Sequence, residues 1–279
     1  MDLLTVPQAV VLGIVEGITE YLPISSTGHL LIAGRLMGLG TSSADKAATD
    51  TFTVVIQLGA IMAVLGLYRS RLTLMVQGVV GRSNEGRRVL LALMAAFVPA
   101  AFIGKLLGGT IKDTLLAPGP VVAAWAVGGV VILVFVRFIQ PGLAVMTRSI
   151  TDISIRQALI IGTAQVAALW PGTSRSLVTI LAALLVGMSL EAAVEFSFLL
   201  GLGTLGAATV LELVQNGDVL IDKFGWVAPI IGIVTAGISA WISVRWMVGY
   251  LQRKPLTIFG WYRIGAAIVA GGLMIGGVI

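Results

Sequence analysis

The sequence contains no cysteine and only one histidine, His29, among its 279 residues. Disulfide bonds and thiolate chemistry are therefore excluded, and a zinc site is not expected, because cysteine and histidine are its usual ligands. Charge is also scarce, since Asp, Glu, Lys and Arg make up 11% of the chain, against about 25% in soluble domains. The N-terminus lacks a basic segment followed by a small-residue cleavage site, so we expect no removable signal peptide.

Hydrophobic residues, in contrast, make up 57% of the chain, and the mean hydropathy is +1.02. Several apolar runs approach the ~20 residues that span a bilayer, which predicts a polytopic α-helical membrane protein. The net charge of +5 comes from arginines between these runs, so it indicates topology, and no nucleic acid partner is expected. Six segments are predicted to span the membrane, at roughly 50–68, 88–107, 119–138, 192–213, 228–248 and 257–277.

Two further apolar regions are interrupted by proline. Residues 7–38 break at Pro23, and residues 153–187 break at Pro171 and Gly172. Each half would be a helix of about 15 residues and about 23 Å, which is shorter than the hydrocarbon core of about 30 Å. Both regions are therefore predicted to be re-entrant helix pairs, with a single kinked span in each place as the alternative.

Basic residues are concentrated in alternate connections between the predicted spans. The basic connections contain Arg69, Arg71, Arg82, Arg87 and Arg88; Arg137, Arg148 and Arg156; and Arg245, Arg253 and Lys254. The other connections have little net positive charge and contain Lys105, Lys112 and Asp113; and Glu212, Asp218, Asp222 and Lys223. The positive-inside rule places the basic connections in the cytoplasm, which predicts that both termini are outside and that the two broken regions enter from opposite faces.

The two broken regions are also similar in sequence. At a constant offset of 149 residues, Gln8-Ala9, Gly13, Glu16 and Ser25 align with Gln157-Ala158, Gly162, Gln165 and Ser174. At an offset of 144, Phe52 and Leu58-Gly59 align with Phe196 and Leu202-Gly203. We therefore predict an inverted-topology repeat in one membrane domain, 1–279, with halves at approximately 1–140 and 150–279; chance similarity between apolar helices is the alternative.

Hydroxyl side chains follow both predicted breaks. Ser25, Ser26 and Thr27 come after Pro23, whereas the second break is followed by Thr173-Ser174-Arg175-Ser176. Serine and threonine cap helix N-termini, and an N-terminus also attracts anions through its unpaired N–H groups. Simple capping could explain residues such as Ser25 or Thr173, but Arg175 adds a charged donor fork suited to phosphate. The two breaks together predict a phosphate-sized pocket.

Two carboxylates and the histidine lie close to the first break. Glu16 and Glu20 are four residues apart, so they share a helix face and could hold Mg²⁺ or Ca²⁺ through oxygen, with structural pairing to arginine as the alternative. His29 lies three residues after Ser26, a spacing that predicts a hydroxyl–imidazole contact able to activate a serine; packing alone is the alternative. Arg263, in the last span, needs an anionic partner unless it extends to the interface.

Together, these motifs resemble a known family. Glu16-x-x-x-Glu20, Pro23-x-Ser-Ser-Thr-Gly-His29 and Pro171-Gly-x-Ser-Arg-Ser-x-x-Thr179 resemble the undecaprenyl-diphosphate phosphatases, the bacitracin-resistance family of bacterial inner membranes. The resemblance covers nearly the whole chain, because residues 52–59, 195–200 and 262–263 also fit. One departure is Gly201-Leu202-Gly203, where family members tend to have a proline.

The resemblance implies removal of the terminal phosphate from the C55 isoprenoid diphosphate, which recycles the lipid carrier for cell-wall synthesis. It further implies dependence on Mg²⁺ or Ca²⁺ and a site that opens toward the periplasm. Separately, we expect contact with membrane lipids and hypothesise a homodimer. By motif, the site would contain Glu16, Glu20, Ser26, Thr27, His29, Ser174, Arg175, Ser176, Thr179 and Arg263.

The favoured hypothesis for the reaction is attack by Ser26, with His29 as base and Glu20 orienting it. Attack by His29 and attack by water are the alternatives. A mechanism that uses two histidines is disfavoured, because the chain has only one. A transporter or flippase of a lipid phosphate is the alternative function, since inverted repeats with broken helices are a transporter architecture.

Overall fold

The computed structural model describes residues 4–40, 43–143 and 147–279; residues 1–3, on which the expectation about a signal peptide partly rests, lie outside them. The described chain is all-α, as predicted, apart from one isolated bridge between Arg148 and Met188. In this part of the chain there are thirteen α-helices: α1 Val6–Thr19, α2 Ser26–Leu36, α3 Ser43–Val55, α4 Gln57–Leu67, α5 Arg69–Val79, α6 Asn84–Leu115, α7 Pro118–Val134, α8 Gln140–Leu143, α9 Ile155–Gln165, α10 Arg175–Leu185, α11 Leu190–Phe224, α12 Val227–Leu251 and α13 Thr257–Ile275.

Six helical segments are long and apolar enough to cross a membrane, so the predicted number is confirmed for the described residues. The first of them joins most of α3 to α4, and the third continues from α7 through a π-helical turn. The six segments are Lys46–Leu67, Asn84–Ile111, Pro118–Gly142, Leu190–Phe224, Val227–Leu251 and Thr257–Ile275.

Two predicted connections are helical, which corrects the expected bounds. The polar stretch that contains Glu212 and Asp218 belongs to α11, which runs for 35 residues until Gly225 ends it with φ 64°. The stretch from Lys105 to Asp113 likewise belongs to α6. Charged residues of either sign do not break a helix, whereas α11 ends at a glycine with positive φ. At 1.5 Å per residue α11 is about 52 Å long, so it exceeds the hydrocarbon core of about 30 Å.

Both predicted breaks are present in the structure. α1 ends at Thr19 and α2 begins at Ser26, while α9 and the 3₁₀ turn Val166–Leu169 end before α10 begins at Arg175. A proline in each gap lacks the N–H that helix continuation needs. Ser25 at φ 73° and Ser174 at φ 78° are the non-glycine residues with positive φ in the described chain. This conformation is rare for residues with a side chain, so both breaks are held by their surroundings.

Each broken region is closed by the same side-chain contacts. Capping boxes pair Thr5 with Gln8 at the start of α1 and Ser154 with Gln157 at the start of α9. The amide of Gln8 then donates to the carbonyl of Met37, 3.3 Å away, after α2, and the amide of Gln157 donates to the carbonyl of Val186, 2.9 Å away, after α10. The start and the end of each helix pair therefore lie side by side.

Small residues bring the first helix of each pair close to a long helix. Gly13 and Gly17 of α1 lie against α12, where an added Cβ would collide with Gly232 and Ala236. Gly162 of α9 lies in the same way against Ala96 of α6. Close backbone approach at small residues is the usual way that helices pack in membranes. This packing holds the two breaks inside the bundle.

Candidate active site

The two breaks meet through direct hydrogen bonds. Ser176, in the first turn of α10, donates its hydroxyl to the carbonyl of Leu22 in the first break, at 3.0 Å. Arg175, the first residue of α10, donates through Nη2 to Glu20 Oε1 at 3.1 Å and through Nη1 to the carbonyl of Ser197 at 2.8 Å. The guanidinium also lies 5.7 Å from the centre of the Tyr21 ring. Residues from two other parts of the chain, Glu20 with Tyr21 and Ser197, therefore surround Arg175.

Glu20 connects this arginine to the start of α2. One carboxylate oxygen accepts from Arg175, and the other accepts from the hydroxyl of Ser26. Glu20 and Ser26 are buried, with 7% and 5% of their surfaces exposed. A carboxylate that holds the hydroxyl proton of a serine can accept that proton when the oxygen becomes a nucleophile.

His29 is held away from Ser26, which corrects the predicted contact. Its Nδ1 lies 2.7 Å from the carbonyl of Ser25, and its Nε2 lies 2.8 Å from the hydroxyl of Tyr262. A carbonyl can only accept, so Nδ1 carries a proton. Helical side chains lean toward the preceding turn, which brings the His29 ring to the carbonyl four residues back and leaves Glu20 as the partner of Ser26. The Trp125 ring packs against the imidazole of His29, and the two ring centroids are 4.5 Å apart.

Glu16 is fully buried, and neither of its carboxylate oxygens has a hydrogen-bond partner. It lies one turn before Glu20, whose N–H donates to the Glu16 carbonyl at 2.9 Å. A buried carboxylate without a partner is unfavourable, so this position needs a cation or a proton. Oxygen donors of this type fit Mg²⁺ or Ca²⁺. Among the residues that the structure describes, no group of three or more His, Asp and Glu side chains could hold a metal by itself.

The remaining hydroxyls of the second break form their own network. Ser174 caps α10 by accepting from the N–H of Leu177 at 3.3 Å, and its hydroxyl lies 3.0 Å from that of Ser176. Thr179 donates to the carbonyl of Arg175 at 2.8 Å and pairs with the hydroxyl of Ser197 at 2.7 Å. Ser174 and Thr179 therefore lie beside Arg175 in the structure.

The N-terminus of α2 lacks the cap that α10 has. Ser25 makes no capping hydrogen bond, which corrects the expectation that it serves mainly as a cap. The first N–H groups of α2 are therefore available to an anion. Thr27 is exposed and lines a cavity of about 230 Å³, together with Arg35 and Lys46.

Arg263 contacts three backbone carbonyls. It is fully buried on α13, and it donates to the carbonyls of Pro23 at 3.3 Å, Gly172 at 2.9 Å and Ala124 at 2.8 Å. Gly128 makes room for it, because a side chain there would overlap the guanidinium. The structure thus shows Arg263 joining the two breaks to α7, and the alternative, extension to the interface, does not occur.

Two neighbours of the site, Tyr262 and Ser197, were missed at the sequence level, and so was the buried amide of Gln165. Tyr262 and Ser197 lie within stretches that fit the family pattern, so the motifs contained a signal for them. Gln165 aligns with Glu16 at the 149-residue offset, and like Glu16 it is buried without a partner for its polar atoms.

This arrangement is found in a chain whose residues 9–269 match the family described as Bacitracin resistance protein BacA. The protein belongs to the BacA family. Its match to that family and its six apolar helices show a multi-pass membrane protein.

Three relatives are similar to this BacA-family chain along almost its whole length. An undecaprenyl-diphosphatase of Sorangium cellulosum is 44% identical over 266 residues, which cover 92% of this chain and 82% of the relative. Undecaprenyl-diphosphatase 2 of Rhodospirillum rubrum is 44% identical over 96% of this chain and 95% of its own. Undecaprenyl-diphosphatase 1 of Acinetobacter baylyi is 40% identical over 96% of each.

Proposed function

We propose that this BacA-family protein hydrolyses undecaprenyl diphosphate to undecaprenyl phosphate and inorganic phosphate. The observation that carries the proposal is the buried contact of Glu20 with both Ser26 and Arg175, where two helix breaks meet. The names of the relatives supply the substrate. The product would return to cell-wall synthesis, which agrees with the role in bacitracin resistance that the family description states.

Arg175 and the start of α2 would bind the diphosphate. Arg175 has a donor, Nε, that is buried without a partner, and α2 begins without a side-chain cap. Ser174 and Ser176 add hydroxyls next to that arginine. Phosphoryl transfer depends mainly on positioning and on stabilisation of charge, and these groups are arranged for both.

Ser26 is the proposed nucleophile, with Glu20 as the base. The Ser26 oxygen forms a bond to the terminal phosphorus while its proton moves to Glu20. The bond from phosphorus to the bridging oxygen breaks, and undecaprenyl phosphate leaves with the electron pair. Water then attacks the phosphorus of the phosphoserine and gives one proton to the Ser26 oxygen. Inorganic phosphate leaves, and Glu20 releases to solvent the proton that it took from Ser26. His29 fixes the carbonyl of Ser25 and so orients the turn that carries Ser26.

Glu16 and Glu20 would hold the divalent cation, Mg²⁺ or Ca²⁺. The unpartnered oxygens of Glu16 are the observation that favours this site. When bound, the cation would neutralise charge on the diphosphate, and phosphate oxygens would complete its ligands.

The proposal includes an inverted repeat with two re-entrant helix pairs. Equivalent contacts support it, since Gln8 and Gln157 bind the carbonyls of Met37 and Val186 at the same offset of 149 residues. Packing also supports it, because α1 packs on α12 and α9 packs on α6. In each case the first helix of a pair contacts a helix of the other proposed half. The arginine distribution supports a topology with both termini outside. The family resemblance implies that the site opens to the periplasmic side of the inner membrane.

A transporter built from the same repeat is the less favoured function, because transport needs anion donors but no serine held by a carboxylate. One chain contains every residue that the proposed reaction uses, so the reaction gives no argument for a homodimer. The homodimer therefore stays a prediction.

Phosphate release from undecaprenyl or farnesyl diphosphate, in detergent with Mg²⁺ and with or without EDTA, tests the function. We expect turnover in the wild type, none with EDTA, and a severe loss in Arg175→Ala, Glu20→Ala and His29→Ala. The exposed Arg253→Ala is the matched control and should keep wild-type activity. Unimpaired hydrolysis in Glu20→Ala or Arg175→Ala would reject the site.

A further inference from the structure

Gln165 is a buried amide with no partner for either polar atom. It is the last residue of α9, only 3% of its surface is exposed, and both Oε1 and Nε2 lack hydrogen bonds. A side-chain amide has two donors and an acceptor oxygen with two lone pairs. Because buried polar groups in native proteins nearly always have partners, a fully unpaired amide calls for a ligand that supplies them.

Glu16 occupies the matching position in the first broken region. Each of the two residues lies nine positions before the serine with positive φ, Ser25 or Ser174, and each is buried with its side-chain oxygens unpaired. Two unpaired polar groups at equivalent places are difficult to explain as independent packing defects. They are consistent with a shared ligand between the helix breaks.

The buried face of α9 leads toward those breaks. Ala158, Ile161 and Gly162 share this face with Gln165, which is one turn nearer the second break. Ile161 belongs to the same buried cluster as Tyr21 and Leu22 of the first break. Gln165 therefore ends a helix face that packs into the core around both breaks.

We propose that Gln165 binds the diphosphate of the substrate, its amide donating to a phosphate oxygen and its carbonyl accepting from a water or hydroxyl of the bound complex. This inference rests on the proposed function. It also explains why the two equivalent positions differ: the carboxylate of Glu16 suits a cation, whereas a neutral amide at Gln165 can approach an anion without repulsion. The two halves would thus hold opposite charges of one complex.

Gln165→Met tests the proposal, because methionine has nearly the same shape and no hydrogen-bonding amide. A residue that is merely buried should tolerate this change, with equal or higher thermal stability and unchanged kinetics. We expect instead that stability is kept while kcat/KM for farnesyl diphosphate falls about 10-fold or more. Gln140→Met is the matched control, because Gln140 also has a buried unpaired oxygen but lies on α8.

A binding measurement separates this inference from the proposed function. Inorganic diphosphate with Mg²⁺ should raise the melting temperature of the wild type and of Gln140→Met. The rise should be smaller in Gln165→Met than in either of them. In Gln165→Glu the rise in melting temperature should be smaller still, because the carboxylate repels the diphosphate. Wild-type kinetics and a wild-type shift in Gln165→Met would overturn the inference while leaving the phosphatase intact. If Gln165→Met does not fold, Gln165→Asn takes its place, and wild-type kinetics in that variant would also overturn it. An inactive wild type would reject the proposed function instead.

Discussion

Glu20 and Arg175, 155 residues apart in the sequence, form a buried ion pair with 3.1 Å between Oε1 and Nη2. Only 6% of the Glu20 side chain and 12% of the Arg175 side chain are exposed. Glu20 caps the end of α1 and Arg175 begins α10, so the pair fixes the position of one break relative to the other. Removal of either partner leaves an unpaired charge in the protein interior, which strongly destabilises a protein.

Arg175→Lys is expected to lower kcat/KM by about 100-fold or more, although the positive charge is kept. A lysine cannot reach Glu20, the carbonyl of Ser197 and a phosphate at once, as the planar guanidinium can. Phosphate-release kinetics measure the effect, with the exposed Arg253→Lys as control. A Lys variant as active as the wild type would mean that the donor fork of Arg175 is not needed.

Glu16→Gln is expected to raise the Mg²⁺ concentration that gives half-maximal activity by at least about 10-fold. The amide keeps the shape of the buried side chain but removes the charge that attracts the cation. Titration of Mg²⁺ at saturating substrate measures this change. The exposed Glu85→Gln should follow the wild-type curve, and the prediction is wrong if Glu16→Gln follows it too.

A phosphoenzyme is expected on Ser26. Rapid acid quench of the reaction with terminally labelled farnesyl diphosphate should trap an acid-stable, hydroxylamine-resistant adduct. The adduct should disappear in Ser26→Ala. An acid-labile adduct would identify His29 as the nucleophile, and the absence of any adduct would favour direct attack by water.

Tyr262→Phe is expected to lower kcat by about 2- to 10-fold, as for the loss of one hydrogen bond, with little change in KM. The phenylalanine keeps the ring that stacks on His29 but cannot contact Nε2. Steady-state kinetics measure both parameters. Tyr250→Phe is the control, because Tyr250 packs on Trp246 and Phe259. An equal loss in both variants would show a general packing effect rather than positioning of His29.

The absence of cysteine makes the membrane orientation directly testable by single-cysteine labelling. Val278→Cys, near the C-terminus, is expected to react with an impermeant maleimide in intact cells. Arg82→Cys, in the connection between α5 and α6, should react only after permeabilisation. Both positions are exposed, so a reversed pattern would invert the proposed topology.

Much of the fold could be predicted because the determining signals are local. An apolar run of sufficient length predicts each spanning helix, and Pro23 and Pro171 each interrupt a helix by lacking an N–H group. The bounds were less accurate, since charged residues such as Glu212 do not end a helix. The site residues could be selected by type, because carboxylates, serines and an arginine are unusual in apolar segments.

The contacts within the site were harder to predict, as His29 and Arg263 show. Sequence spacing allowed a Ser26–His29 contact, but the lean of helical side chains directs His29 to Ser25. For Arg263 the sequence predicted an anionic partner but gave no indication that it also donates to carbonyls freed by two distant breaks. Such partners come from other helices, so the residues around a position do not reveal them.

The sequence by itself determined a multi-pass helical chain with two broken regions and a set of polar residues at the breaks, because hydropathy and proline act over one helix at a time. Only the tertiary structure decided which of these residues meet. Glu20 holds Ser26 and Arg175, Tyr262 holds His29, and Glu16 and Gln165 are buried without partners. These relationships depend on how helices from distant parts of the chain pack, and that packing sets the distances between such residues.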